Sequence, residues 1–236
     1  MLEQAGLRRR FYARFARKAA TAAALALAFG LAAPAQEIGG PPPAGPPELP
    51  GAFKPVVGSG AQYELSTEKE KNMRCAYVVV GKEKVGGDEG YWLEMRFEVG
   101  EEGSMLMKQL IVAHGDKTTI KRMLFQAPGQ PPMEMPVGVM AAVMKQDREG
   151  AAEKEPVLGK KLGTETVTVP AGTFLCQHYR AQSEKGTMDV WVSPKVSPYG
   201  MVKMVSQEMT MTLEKILTHQ TSQMKGSPEK AHAPEE

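Results

Sequence analysis

Cysteine is scarce in this chain: two among 236 residues, Cys75 and Cys176. That excludes a scaffold stapled by several disulfides and a zinc site built on many thiolates. Only four histidines occur, with His219 and His232 in a polar C-terminal stretch and His114 before Gly115-Asp116. No ligand set is spaced for a metal. An excess of one charge is also missing, since 29 Lys and Arg face 27 Asp and Glu. Without a basic stripe, nucleic acid is excluded as a partner. The 24 glycines form no Walker or dinucleotide pattern, so no nucleotide cofactor is implied. The longest apolar run, Thr21 to Ala33, is shorter than the roughly 20 residues of a membrane span. Helical periodicity is nearly absent.

What is present begins with an address label. Arg8, Arg9, Arg10, Arg14, Arg17 and Lys18 precede the Ala- and Leu-rich run, and Ala33-Pro34-Ala35 supplies a small-x-small cleavage site. Residues 1–35 therefore read as a signal peptide. The general secretory route and the twin-arginine route, suggested by Leu7 to Tyr12, are both open. No cysteine stands at the cleavage site, so a lipid anchor is not expected, and the mature protein is placed in the periplasm or outside the cell. The label carries six basic residues and one acid, Glu3, leaving 23 basic against 26 acidic residues in the mature chain. Residues 36–58, with Gly39 to Pro55 rich in Pro and Gly, read as a linker. Residues 59–218 read as one domain, and 219–236, almost without apolar side chains, as a disordered tail.

Within the domain the period is two. Thr164 to Met211 alternates β-branched runs with turns at Pro170-Ala171-Gly172, Ser183 to Gly186 and Pro194 to Gly200, the pattern of an antiparallel meander. Upstream, Tyr91, Leu93, Met95, Phe97 and Val99 share one strand face, with Glu94, Arg96 and Glu98 opposite. Cys75 to Val80 and Thr118 to Gln126 are further strands. Met105 to Ala113 is apolar on both faces, which predicts a central strand covered on both sides. One segment breaks the pattern: Val137, Met140, Ala141 and Met144 fall at helical spacing after Pro136, predicting a helix over Val137 to Arg148. The expected class is α+β: a curved antiparallel sheet, a half-barrel, with one or two helices on its concave side.

Val169 to Phe174, with Cys176, Tyr179, Asp189-Val190-Trp191-Val192 and Gly200 to Lys203, resembles secreted bacterial families of unknown function associated with the lipoprotein-carrier (LolA/LolB-like) superfamily. Tyr91 to Met95 and Lys121 to Pro136 resemble the central strands and helix entry of those families. The resemblance spans residues 60–217 and implies a half-barrel around an apolar cavity for acyl chains. It implies no particular site residue.

The chemistry weighed against that background is modest. Cys176 and His178 share a strand face, as a thiol and its base would, yet no oxyanion loop accompanies them, and an enzyme is not expected. Sixteen methionines are unusual; Met105-x-Met107, Met133-x-Met135 and Met209-x-Met211 repeat thioether spacing. Soft thioethers suit Cu(I), but on a strand the same spacing makes an adaptable apolar wall. The expected ligand contacts are Met95, Phe97, Met107 and Leu124 from the sheet with Met140 and Met144 from the helix. The function expected is non-covalent binding of a hydrophobic or amphipathic, lipid-like ligand. A structural or interaction protein of the cell envelope with a filled core is the alternative, and a Cu(I)-binding protein the third. Cys75 and Cys176 either form a disulfide in an oxidising compartment or stay buried and reduced.

Overall fold

The computed structural model of the chain describes residues 53–67, 73–98, 103–114, 117–135, 159–183 and 186–230. Their strands, in chain order, are β1 (Gly60–Thr67), β2 (Met73–Val85), β3 (Asp88–Glu98), β4 (Ser104–His114), β5 (Lys117–Gln126) and β6 (Met133–Met135), followed by β7 (Lys160–Val169), β8 (Gly172–Ser183), β9 (Gly186–Val192), β10 (Met201–Val205), β11 (Met209–Leu217) and β12 (Glu229–Lys230). They form one sheet in the order β12-β6-β5-β4-β3-β2-β1-β11-β10-β9-β8-β7. Every neighbouring pair is antiparallel except β12 with β6. The expectation of an α+β fold is corrected: among the described residues there is no helix, and the architecture is all-β. The helix expected over Val137 to Arg148, with Met140 and Met144, lies outside the described residues.

Two meanders, β1–β6 and β7–β11, are joined edge to edge by β1 and β11. Local sequence sets the hairpins. Val85 pairs with Asp88 across Gly86 and Gly87, whose φ angles of 59° and 95° are those of the two-residue turn that matches strand twist. Gly60 is fixed by close approach, since a Cβ there would stand 2.4 Å from the Tyr77 carbonyl oxygen. At the far end the sheet curls: the amide of Ala171, in the β7–β8 turn, donates to the Leu213 carbonyl on β11 at 3.4 Å.

The core lies on what we call the inner face, carrying Ala61, Tyr63, Leu65, Cys75, Tyr77, Val79, Leu93 and Met95, joined by Met204, Met211 and Leu213. Tyr63 is 1 % exposed, and its hydroxyl donates to the Met201 carbonyl at 3.0 Å. Where a helix was expected to cover this face, the described cover is the loop from Ser193 to Gly200 together with Phe53. Tyr199 meets Tyr77 edge-on at 6.1 Å and Phe53 at 5.4 Å, and Phe53 also meets Tyr91 at 6.4 Å. The end of the presumed linker thus belongs to the core.

The opposite, outer face of β3–β5 is also covered. Residues from Thr218 to Lys230, which include most of the stretch 219–236 expected to be a disordered tail, form a strap across it and end as β12 on β6. The physical reason is polar as well as apolar. Glu94 is 0 % exposed and Arg96 7 %, and the strap supplies the partners that these buried charges require.

Candidate functional site

The strand registers decide which expected ligand contacts come together. Met95 lies opposite Met107, Phe97 opposite Met105, and Met107 opposite Phe125. Met95, Phe97 and Met107 therefore share the inner face, with Met105, Met123 and Phe125 beside them. Met95 is buried, whereas Phe97, Met105, Met107 and Phe125 are only partly so. Leu124 does not join them. It pairs with Lys108 and points to the outer face, where it packs with Trp92, Leu110 and the strap's Met224. Met123-Leu124-Phe125 is apolar at every position, so the alternation that would have revealed Met123 and Phe125 is hidden. One further contact marks the wall: Gln109 Nε2 donates to Met107 Sδ at 3.6 Å.

Of the two states left open for the cysteines, the disulfide is not the one formed. Cys75 and Cys176 are both free and buried. β2 and β8 are five positions apart in the strand order, and the two thiols enter the same core cluster without bonding. Burial pushes the Cys75 thiol up to about 12. Burial also raises the Cys176 thiol, with the Glu165 charge adding to it. The Cys176 thiol donates to the Phe174 carbonyl at 3.6 Å.

His178 faces two carboxylates. Its Nε2 lies 2.7 Å from Asp189 Oδ1 and its Nδ1 3.1 Å from Glu165 Oε1. The ring stacks on Trp191 with centroids 4.4 Å apart, and Lys203 Nζ stands 5.5 Å from the Trp191 ring centroid. The indole N–H donates to Glu165. Arg180 forks onto Asp189 at 2.9 and 3.2 Å. Burial raises the Asp189 carboxyl, but hydrogen bonds from Arg180 and His178 outweigh it and hold the group below its ordinary value. The cluster is a cross-strand ladder tying β7 to β8, β9 and β10, with both imidazole nitrogens already engaged. Among the described residues no three or more His, Cys, Asp or Glu side chains are arranged to hold a metal ion.

On the outer face the site is the strap's seat. Arg96 Nε donates to Glu94 Oε1 at 2.9 Å, its Nη1 to Gln220 Oε1 at 3.0 Å, and its Nη2 to the Thr221 carbonyl at 2.7 Å. Glu94 accepts in turn from the Ser222 hydroxyl and, at 2.9 Å, from the Gln223 amide. Lys108 Nζ lies 4.9 Å and the Arg122 guanidinium 5.3 Å from the Trp92 ring centroid. Burial lowers the Lys108 ammonium, against the opposing pull of Glu94. Beside the strap runs an open groove of about 620 Å³, lined by Leu106, Gln126, Pro128, Gln130, Gln223 and Lys225 among others. That volume lies in the ligand-pocket range, but the groove is walled by loops and amides and does not touch the methionine wall.

No protein-family model and no curated protein matches the chain. Among solved structures it is similar to one described as an exported protein with a YmcC-like fold from Bacteroides fragilis NCTC 9343. The identity is 13%, the TM-score 0.34, and the match covers 70% of this chain and 97% of that one. A second, described as a lipoprotein from Parabacteroides distasonis ATCC 8503, is 13% identical with a TM-score of 0.35, covering 71% and 99%. The lipoprotein-carrier resemblance is not among these matches. At such scores the function of this chain rests on its own residues.

Proposed function

We propose that the chain is an exported, non-enzymatic protein whose methionine wall takes up an apolar or amphipathic, lipid-like ligand. The observation that carries this reading is an asymmetry across β3–β5. On the outer face a strap covers Trp92, Leu110 and Leu124, while on the inner face Phe97, Met105, Met107 and Phe125 keep part of their surface open. Methionine is unbranched and polarizable, so such a wall repacks around ligands of varied shape. Export rests on the basic and apolar label at residues 1–35. The non-enzymatic reading rests on His178, whose nitrogens both face carboxylates, and on a Cys176 thiol bonded to a main-chain carbonyl.

The test is saturable uptake of a fluorescent fatty acid by the mature chain. Met107→Asp is expected to weaken uptake at least about tenfold, the scale of desolvating a charge at an apolar contact, with an unchanged far-UV spectrum. A parent protein that takes up neither fatty acid, phospholipid nor apolar dye overturns the reading in favour of a filled-core envelope protein.

A further inference from the structure

The strap occupies a seat that has the features of a receptor, and those features are more specific than covering an apolar patch requires. Thr221 to Gln223 lie along the sheet, and the ion pair below them addresses their main chain from one side. The Arg96 guanidinium donates to the Thr221 carbonyl at 2.7 Å, and the Glu94 carboxylate accepts the Gln223 amide at 2.9 Å. In an extended chain the carbonyl of one residue and the amide two residues on point the same way, and a neighbouring strand would meet both. Here a guanidinium and a carboxylate stand in for that strand. Side-chain readout is added to it. The Ser222 hydroxyl donates to the other oxygen of Glu94, Gln220 accepts from Arg96, and Met224 packs into the Trp92–Leu110–Leu124 socket.

The occupant is held less firmly than the seat. Between Gln220, whose amide donates to the Gly58 carbonyl at 2.8 Å, and Glu229, whose amide donates to the Pro132 carbonyl at 2.9 Å, the strap joins no strand ladder. Thr221, Gln223 and every residue from Lys225 to Glu229 are exposed, while Glu94 beneath them is fully buried. Segments with few buried contacts open at a lower free energy than the core strands to which they are attached.

We propose that the outer face of β3–β5 is an extended-peptide site, filled in cis by the C-terminal segment and open in exchange to a partner peptide of the same pattern. That pattern is an extended main chain with a hydroxyl side chain for Glu94, followed two residues on by an unbranched apolar side chain for the socket. The site is on the opposite side of the sheet from the methionine wall, so the two can be tested separately.

The probe is a fluorescent peptide carrying the sequence of residues 219–226, titrated into the full mature chain and followed by anisotropy. In the protein, Ser222→Ala with Met224→Ala loosens the resident strap without touching the seat. This double variant is expected to bind the probe at least about tenfold tighter than the parent, because a lost hydrogen bond to a buried carboxylate weakens cis occupancy by that factor or more. A competitor peptide with both positions changed to Ala is expected to compete at least tenfold less well. Leu124→Ala, added to the loosened variant, is expected to lower affinity for the Met-containing probe and leave that for the Ala peptide unchanged. Equal binding of the probe by parent and loosened chain overturns the proposal, as does equal competition by the Ala peptide. Dimerisation of the loosened chain in analytical ultracentrifugation, with no affinity for free peptide, also overturns it in favour of tail exchange between copies.

Discussion

Two tryptophans stand in similar surroundings and different depths. Trp92 gives its indole N–H to Glu83 at 3.0 Å and has Lys108 and Arg122 over its ring. Trp191 gives its indole N–H to Glu165, stacks on His178 and has Lys203 over its ring. Each is a cross-strand ladder of carboxylate, aromatic ring and cation. Trp92 lies under the strap and is 8 % exposed, whereas Trp191 is only partly buried. The acid–arginine pairs follow suit: Glu94 and Arg96 have side chains 0 % and 9 % exposed, while Arg180, on Asp189, is 49 % exposed. Side-chain chemistry is nearly the same in the two regions. What differs is the third layer, supplied by a largely polar strap that few would assign to a core.

The sharpest way to break this comparison is Glu94→Ala. It leaves Arg96 buried without its charge partner and should cost about 3–5 kcal/mol of stability in urea unfolding. A loss under 1 kcal/mol would mean that the pair is as wet as Arg180 and Asp189.

Alkaline titration comes next. The Cys75 thiol ionises near 8.5 in the unfolded chain and about 12 in the fold, so only the unfolded state loses its proton in between. Stability from the buried thiol is complete below pH 8.5 and declines as pH rises toward 12. Between pH 9 and 11 the loss is about 2–3 kcal/mol. Tyr63 and Tyr77, both raised by burial, extend the same slope upward. Cys75→Ala should flatten the decline more than Cys176→Ala; the reverse order would mean that the Cys176 thiol is the more strongly raised of the two.

The tryptophans themselves sharpen the contrast. Trp92→Ala should cost about 3–5 kcal/mol and Trp191→Ala about half as much, since truncation costs scale with burial. Equal midpoints and m-values for the two variants would show that the strap adds nothing to Trp92. Smallest is Arg180→Ala, expected to cost under about 1 kcal/mol and to lose even that in high salt. A salt-insensitive cost would show that the second ladder is drier than its exposure indicates.

Much of the sheet was legible beforehand because its signal is local. Tyr91, Leu93, Met95 and Phe97 alternate, and all face inward; Met105 to Ala113 reads as a central strand, and β4 lies inside the sheet between β3 and β5. The turn residues between Thr164 and Met211 mark β7 through β10. The candidate site was less legible because it depends on register. Nothing in Met123-Leu124-Phe125 says which parity meets Met107, and the bulge between Leu110 and Ile111 resets the pairing once more. The strap is illegible in the sequence for a different reason. Its composition is that of a solvated tail, and Glu94 and Arg96 looked like the wet side of β3. Each is polar because the other is: the buried charges need donors and acceptors, and the strap is made of them. Compartment and count leave a disulfide and two reduced thiols equally open for Cys75 and Cys176, and only the fold shows them free.

The seam between the two meanders has a consequence for how the chain reaches this state. β1 pairs with β11 along its whole length, from Gly60 with Leu217 to Thr67 with Met209. The earliest strand is thus completed by one made some 150 residues later, and every contact across the seam carries a large loop-closure entropy. Chains dominated by such non-local pairing fold slowly, in milliseconds to seconds. Until β11 arrives, the first meander exposes the edge of β1, with Tyr63 and Leu65 uncovered beside it, an invitation to pair with another chain. Were the chain exported as proposed above, it would meet this interval every time it is threaded through a membrane from its N-terminus. Its yield is therefore expected to depend on whatever holds the first meander apart until the second emerges.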